Sequence, residues 1–459
     1  MELKHRIQRP IEDLRAKGVA LRKQMPRREH ARLVLPERDV VAILEEQHRS
    51  RIPDLVPVRI GRMLQSPFAL YRGSAAVMAH DLADAPCTGI EVIACGDAHV
   101  SNFGLYGTPE RTLAFDLNDF DEASNAPWEW DVKRLAASAY IGALDTGLRA
   151  DQARDIARAS VTSYREMLTL LMGMTALERY YYRGETAWLQ QTLDSDTQRL
   201  VRHVARKAKR NTSDRMLDKI ELETVDGATR IVEEPPIMRH DAYITPDLAD
   251  QLMNAYLRTV RADIAVLLSQ FSLVDGVLRV VGVGSVGTRC YIQLLEGPSG
   301  EPFFLQIKEA QASVLEAYGG RPSRIHDRAI RPRSGVNGFR AISCQRTLQA
   351  ASDPFLGYFE IGGRDYYVRQ FRDMKGSLDL ATLDARQFEQ YAQLCGALLA
   401  RGHGQSPTAG IVEGYLLDSA RFDDAIADWA VAYAEVVERD FETVEAAVKA
   451  GRLPVEHGV

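Results

Sequence analysis

The stretch Val277-Leu278-Arg279-Val280-Val281-Gly282-Val283-Gly284-Ser285-Val286-Gly287-Thr288-Arg289-Cys290-Tyr291-Ile292-Gln293-Leu294-Leu295 sets Gly282, Gly284 and Gly287 between two runs rich in β-branched and aliphatic residues. A G-x-G-x-x-G triplet is ambiguous by itself, because two unrelated architectures use it. In a dinucleotide-binding fold the third glycine opens a helix whose N-terminus meets a pyrophosphate. Here Gly287 is followed by Thr288, Cys290, Tyr291 and Ile292 in an alternating pattern, which is strand and not helix. The reading is strand, glycine loop, strand, in which the loop backbone covers phosphates from above. Ser285 at the tip supplies a further donor. A glycine-rich hairpin without a ligand is the plain alternative.

Outward on the C-terminal side the texture stays β. Gly297-Pro298-Ser299-Gly300 is turn chemistry, and Phe303-Phe304-Leu305-Gln306-Ile307-Lys308 is a third strand, so three consecutive antiparallel strands form a small sheet. Lys308 closes an apolar run. An unpaired ammonium in a packed sheet is costly, so it needs a partner; Glu309 and Glu316 are both near in sequence. A snorkelling surface lysine is the alternative. Residues 338 to 351 read as helix, Asp365 to Phe371 as strand, Ala381 to Gly402 as a long helix, and residues 411 to 450 as largely helical. On the N-terminal side, Trp128 to about Ser269 reads as mostly helical, with apolar residues at helical spacing in Asp131 to Leu144, Ala150 to Met174 and Asp247 to Phe271. Within it, Arg202 to Arg210 is a basic run, read as a solvated helix face or a site for an acidic or phosphorylated substrate. Thr224 to Ala242, with Gly227, Pro235 and Pro236, reads as loop or hairpin. Residues 1 to 50 read as charged helix, with Pro53 and Pro57 marking a connector.

A second constellation carries the chemistry. Ile90 to Cys95 is a buried-type strand, and Gly96-Asp97-Ala98-His99-Val100-Ser101-Asn102-Phe103-Gly104 follows it. Asn118-Asp119-Phe120-Asp121-Glu122 comes after that. An acid, an amide and a later Asp-Phe are what a phosphoryl-transfer site needs: a carboxylate to orient a hydroxyl, and an amide and a carboxylate to hold Mg²⁺. Mg²⁺ prefers oxygen ligands and usually takes only one or two protein carboxylates. Between the clusters, Phe103 to Tyr106 and Thr112 to Phe115 read as strands joined by Gly107-Thr108-Pro109-Glu110, and a hairpin brings its ends together. Asp116 and Asp121 are alternatives to Asp119, because the pairing register is open. A solvated acidic loop is the bland reading.

Composition bounds the rest. The chain has 459 residues, 46% of them hydrophobic and 26% charged, ordinary for a globular protein with two or three domain-sized units. A net charge of −6 gives no reason to expect nucleic-acid binding. No apolar stretch follows the charges at the N-terminus and no long apolar run exists, so neither signal peptide nor membrane span is expected. The 5 cysteines are scattered, without a Cys-x-x-Cys pair, which fits reduced thiols and a cytoplasmic setting. The oligomeric state is not legible.

These motifs resemble the protein-kinase-like superfamily, most closely its aminoglycoside and choline phosphotransferase branch, which carries H-G-D-x-H-x-x-N and then a short I-D-F/W-D/E cluster. The chain is identified as a member of an uncharacterised bacterial family of that superfamily in which G-D-A-H-x-x-N-F-G, N-D-F-D-E, V-G-V-G-S-V-G-T-R and R-Q-x-R-D-M-K recur; the resemblance covers about Tyr71 to Gln405. It implies Asp97 as catalytic base, Asn102 and Asp119 as metal ligands, Gly282, Gly284, Ser285 and Gly287 over the phosphates, and Lys308 as the phosphate lysine. Cys95 stands where the branch has a supporting His. The motif order differs from that of an ordinary kinase, because Asp97 precedes the glycine loop. The helix ending in Leu398-Leu399-Ala400-Arg401-Gly402-His403 resembles the one that leads into a phosphotransferase catalytic loop, so the chain reads as a circular permutant cut between that helix and the loop. The implied fold is α+β, kinase-like and two-lobed. A helical segment 1–90 packs on a large lobe 91–271, followed by a β-rich nucleotide lobe 272–375 and returning helices 376–459. The implied function is ATP- and Mg²⁺-dependent phosphoryl transfer to a hydroxyl of a small molecule or protein. AMP transfer and a non-catalytic nucleotide-binding module are the competing readings.

Overall fold

The computed structural model describes residues 10–183, 193–210, 220–225, 228–241, 245–324, 335–371 and 374–458. Gly227, Arg372 and Asp373 lie outside them. The described chain is mixed α+β, with an apolar helical body and one substantial sheet. The body is built on the helix Trp128–Asp145, which is buried on nearly every face because it is Ala-rich and surrounded. Ala150–Met172, Ala385–His403 and Arg421–Lys449 pack around it. Their shared core draws on residues from Phe68 to Val437, with Trp128 stacked on Tyr164 at 5.9 Å.

In chain order the strands are β1 (Glu91–Ala94), β2 (Phe103–Gly107), β3 (Leu113–Leu117), β4 (Ser124–Pro127), β5 (Leu222–Val225), β6 (Ala228–Ile231), β7 (Met238–Arg239), β8 (Ser272–Arg279), β9 (Cys290–Glu296), β10 (Pro302–Ala310), β11 (Gly357–Ile361) and β12 (Arg364–Gln370). A 6-stranded antiparallel sheet runs β11-β12-β10-β9-β8-β7. The three strands expected around the glycine loop are its β8, β9 and β10. The helices Pro246–Leu257 and Ala262–Leu268 lend Leu252, Tyr256, Ile264 and Leu268 to the core on one of its sides. The helix Val336–Leu348 packs against β10, β11 and β12. β5 and β6 form the hairpin expected near residue 224.

Two local readings are corrected. The region of Pro53 and Pro57 is not a plain connector: Pro53–Leu55 is a 3₁₀ turn and Val56–Met63 is a helix. Proline at the first helical turn costs no hydrogen bond and presets the backbone angle, so it opens these elements instead of breaking them. Asp247 to Phe271 is two helices with a break at Arg258–Arg261, not one. The basic run lies on Ser195–Ala208 and just past it, with Arg202, Arg206, Lys207 and Lys209 exposed, which is the solvated face. No described helix is long and apolar enough to cross a membrane, and the cysteines are free.

One long-range seam positions the site. The C-terminal end of Ala385–His403 lies along β1: Ile93 N donates to Ser406 Oγ at 2.9 Å and Thr408 Oγ1 donates to the Glu91 carbonyl at 2.5 Å.

Candidate functional site

The loop after β1 is anchored by its backbone. Cys95 N and Gly96 N donate to the two carboxylate oxygens of Asp131 at 2.6 and 2.9 Å. Asp131 Oδ2 lies 3.1 Å from His403 Nε2, and His403 Nδ1 lies 2.9 Å from the Tyr164 hydroxyl. Gly96 has φ +78°, and a Cβ there would sit 2.2 Å from the Glu122 carbonyl oxygen. Only glycine fits that turn. It aims Asp97 into the cleft, where Arg134 Nε and Nη2 reach Asp97 Oδ1 at 2.9 and 2.7 Å. Arg134 also donates to the Tyr71 carbonyl and lies over the Tyr71 ring. His99 Nε2 stands 3.6 Å from Asp97 Oδ2, and burial pushes this imidazole down to about 4, so it is neutral at pH 7. Asn102 uses its amide nitrogen on the carbonyls of Asp97 and Asp119 at 2.9 and 3.2 Å, which leaves the amide oxygen to offer a metal.

The β2–β3 register brings the second cluster in. Phe103 pairs with Leu117, and Asn118 N donates to the Asn102 carbonyl at 3.0 Å. Of the three candidate acids, Asp116 is fully buried and accepts from Leu117 N and Ala350 N, so it caps local backbone and does not face the cleft. Asp119 and Asp121 both line the cleft. Lys308 lies near the end of the buried strand β10, 2% exposed, with its Nζ 3.5 Å from Asp119 Oδ2 and bonded to Asp121 Oδ2. Burial works against its charge, yet Asp119 and Asp121 outweigh that and hold the ammonium well above the usual lysine value. Burial likewise opposes ionisation of Asp119, but Lys308 and Arg369 hold its carboxyl at about 2. Neither Glu309 nor Glu316 is the partner of Lys308. Glu309 pairs with Arg289 and Arg364, because successive residues on a strand point to opposite faces. Tyr367, opposite Lys308 on β12, donates its hydroxyl to Asp121 Oδ1 at 2.6 Å.

The glycine loop crosses the same cleft. Gly282 and Gly287 have φ of +67° and +87°, and Ser285 Oγ lies 3.4 Å from Asp121 Oδ2 across 164 residues of sequence. Its backbone is clasped by the N-terminal segment: Arg62 Nη1 on the helix Val56–Met63 donates to the Gly282 carbonyl at 2.6 Å, and from the turn before that helix Ile52 N donates to the carbonyl of Gly287 at 2.8 Å and Arg51 to that of Val286. The cleft measures about 390 Å³ and is lined by Asp97, Asn102, Asp119, Gly282, Gly284 and Ser285 among others, within the range of small-ligand pockets. Among the described residues no cluster of three or more His, Cys, Asp or Glu side chains forms a ready metal cage. Asp119, kept ionised, and the Asn102 amide oxygen fit a hard cation that completes its shell with other oxygens.

Sequence reading missed the residues that hold this geometry. Arg340, 1% exposed on Val336–Leu348, donates to the carbonyls of Asp121, Ala123 and Gln311. Arg369 donates to Gln306 and to the Asn118 carbonyl beside Asp119. Asp131 and Arg134 were legible only as an oddity: Glu129, Asp131, Lys133 and Arg134 crowd an otherwise apolar helix, and buried charges need specific partners.

The chain belongs to the family described as "Uncharacterized protein conserved in bacteria (DUF2252)", whose model matches residues 51–447. That span contains both motif sets. No curated protein and no solved structure matches the chain.

Proposed function

We propose that this member of the DUF2252 family is an ATP- and Mg²⁺-dependent phosphotransferase with a circularly permuted protein-kinase-like fold. The observation that carries the reading is the 3.5 Å approach of Lys308 Nζ to Asp119 Oδ2, with the glycine loop over the same cleft. Two motif sets far apart in sequence thus serve one site. The permutation is supported by the seam between Ser406–Thr408 and Glu91–Ile93, which sets the end of the long helix beside the start of the catalytic loop, as the unpermuted order would require.

In this reading Asp97 orients the acceptor hydroxyl and accepts its proton, while Arg134 fixes the position of the carboxylate. Asn102 and Asp119 hold Mg²⁺, which when bound neutralises charge on the phosphates. Lys308 leaves Asp119 and Asp121 for the incoming phosphates, an exchange of one anionic partner for another. The backbone N–H groups of Gly282 to Gly287 close over them. The rate gain comes from positioning and from electrostatic stabilisation of the transferring group. The test is incubation with Mg²⁺ and ATP labelled at the γ or the α position, with a metabolite pool as acceptor. Label passing from the γ position supports phosphoryl transfer. Label from the α position replaces it with AMP transfer, and label from neither rejects catalysis.

A further inference from the structure

The wall of the cleft facing Asp97 comes from the helices Val40–His48, Val56–Met63 and Pro67–Gly73, and it carries more positive charge than it has carboxylate to meet. Arg72 lines the cleft beside Asp97. Among the described residues it donates no hydrogen bond and forms no ion pair; its Nε is buried without a partner, and the Phe68 ring lies 5.9 Å from its guanidinium. Arg59 lines the same wall and is 0% exposed. Its donors go to His48 Nε2, Gln47 Oε1 and the Gly73 carbonyl, all neutral groups, and its Nε is also unpartnered. Burial, with Arg59 beside it, pushes the His48 imidazole down to about 3, so that neighbour is uncharged at pH 7. Arg51, at the edge of the wall, spends a donor on the Val286 carbonyl and leaves Nε buried and unpaired.

Six acids line the cleft, and among the described residues none forms an ion pair with Arg59 or Arg72; Asp119 and Asp121 are engaged by Lys308, and Glu309 by Arg289. Asp97 is engaged by Arg134. Glu46 is exposed at the rim. Glu122 accepts from Val314 N, and burial raises its carboxyl to about 7. Buried guanidinium groups without a counter-charge are expensive. Arg59, fully buried, and Arg72, half-buried with its Nε sequestered, together match the charge of a phosphate dianion on an open cleft.

We infer that Arg59 and Arg72 form an anion subsite that seats a phosphate group already present on the acceptor, placing the acceptor's free hydroxyl at Asp97. Arg72 lines the cleft with Asp97, whose charge acts on its guanidinium, and this assigns the anion to the acceptor; because the Arg72 carbonyl also lies against Gly284 of the glycine loop, competition with the nucleotide is the deciding measurement. The assignment to an acceptor rests on the phosphotransferase reading; the anion subsite itself does not. Calorimetric titration of inorganic phosphate into the full chain, alone and with saturating Mg²⁺ and the non-hydrolysable analogue AMPPNP, tests it. Phosphate is expected to bind together with AMPPNP. Arg72→Gln should weaken phosphate binding by about 10-fold or more, the scale of one lost charge-assisted contact, and leave AMPPNP binding intact. Lys308→Met should do the reverse. Absence of saturable phosphate binding to the parent, or an unchanged affinity in Arg72→Gln, overturns the subsite. Competition between phosphate and AMPPNP overturns its assignment to the acceptor. Should AMPPNP fail to bind the parent while phosphate binds through Arg72, the subsite stands and the phosphotransferase reading falls. The parent titration decides the question even if Arg72→Gln does not fold.

Discussion

At the scale of single residues, the two acids of the proposed mechanism are held by different means, and their variants should differ accordingly. Asp97→Asn keeps size and hydrogen-bonding reach but removes the charge that meets Arg134, a guanidinium only 3% exposed by side chain. Turnover should fall by roughly 10²- to 10⁴-fold, the range for a lost general base, with ATP affinity little changed. A lower melting temperature should accompany it, because Arg134 is left buried and unpaired. Asp119→Asn should instead weaken Mg²⁺-dependent nucleotide binding along with turnover. Calorimetry and steady-state rates on the two proteins separate these outcomes; equal loss of ATP binding in both would mean a structural role for the whole cluster. His48 gives a pH signature. Its folded value of about 3 lies below the unfolded value of 6.5, so as pH falls below 6.5 the unfolded chain takes up a proton that the folded chain refuses. Stability is therefore full above pH 6.5 and declines below it, by about 1 kcal/mol per pH unit. His48→Gln keeps an acceptor for Arg59 and should flatten that decline, read from urea midpoints at pH 7, 6 and 5. An identical slope in both proteins would take His48 out of the linkage.

At the scale of elements, the glycine loop contains two positions that should fail differently. A Cβ on Gly284 meets only the Arg72 carbonyl, at an ordinary 3.5 Å. Gly284→Val should therefore fold normally and lose ATP affinity, since the side chain occupies space that the phosphates need. Gly287 has φ +87°, and its Cβ would press on the Arg51 side chain at 3.0 Å. Gly287→Ala should cost on the order of 1–2 kcal/mol of stability whatever the ligand. Thermal melts with and without Mg²⁺-ATP distinguish the two; Gly284→Val binding ATP like the parent would reduce the loop to an ordinary hairpin. These elements were legible in the sequence because their signals are local: alternation around Gly282–Gly287, turn residues between β2 and β3, helical spacing from Trp128 onward. The acids and the glycines could be placed on one loop each by the same means. The partner of Lys308 could not, since it comes from Asp119 and Asp121 across the fold, while the nearest acid in sequence, Glu309, faces the other side of β10. Arg340 and Arg369 escaped for the same reason: each supports carbonyls of the Asn118–Ala123 loop from a distant element.

At the scale of the whole molecule, the sheet depends on helices that precede it. A fragment of residues 272–375 leaves behind Leu252, Tyr256, Ile264 and Leu268, which share the core with Leu295, Leu305 and Val368. That fragment should show no cooperative melt by circular dichroism, and extension back to residue 238 should raise its stability. A cooperative melt in the shorter fragment would remove those helices from the core. The seam between β1 and the end of Ala385–His403 has a further consequence, in time and not in space. Ile93 and Ser406 are 313 residues apart, and Asp131 and His403 are 272 apart. A ribosome adding about 5–20 residues per second needs on the order of tens of seconds to pass from one to the other. During that interval the Asp97 loop has left the exit tunnel while the histidine behind its anchor is still unmade. The nascent protein carries the Asp97 carboxylate long before it acquires the histidine behind its anchor, so translation itself delays assembly of the cleft until His403 has emerged.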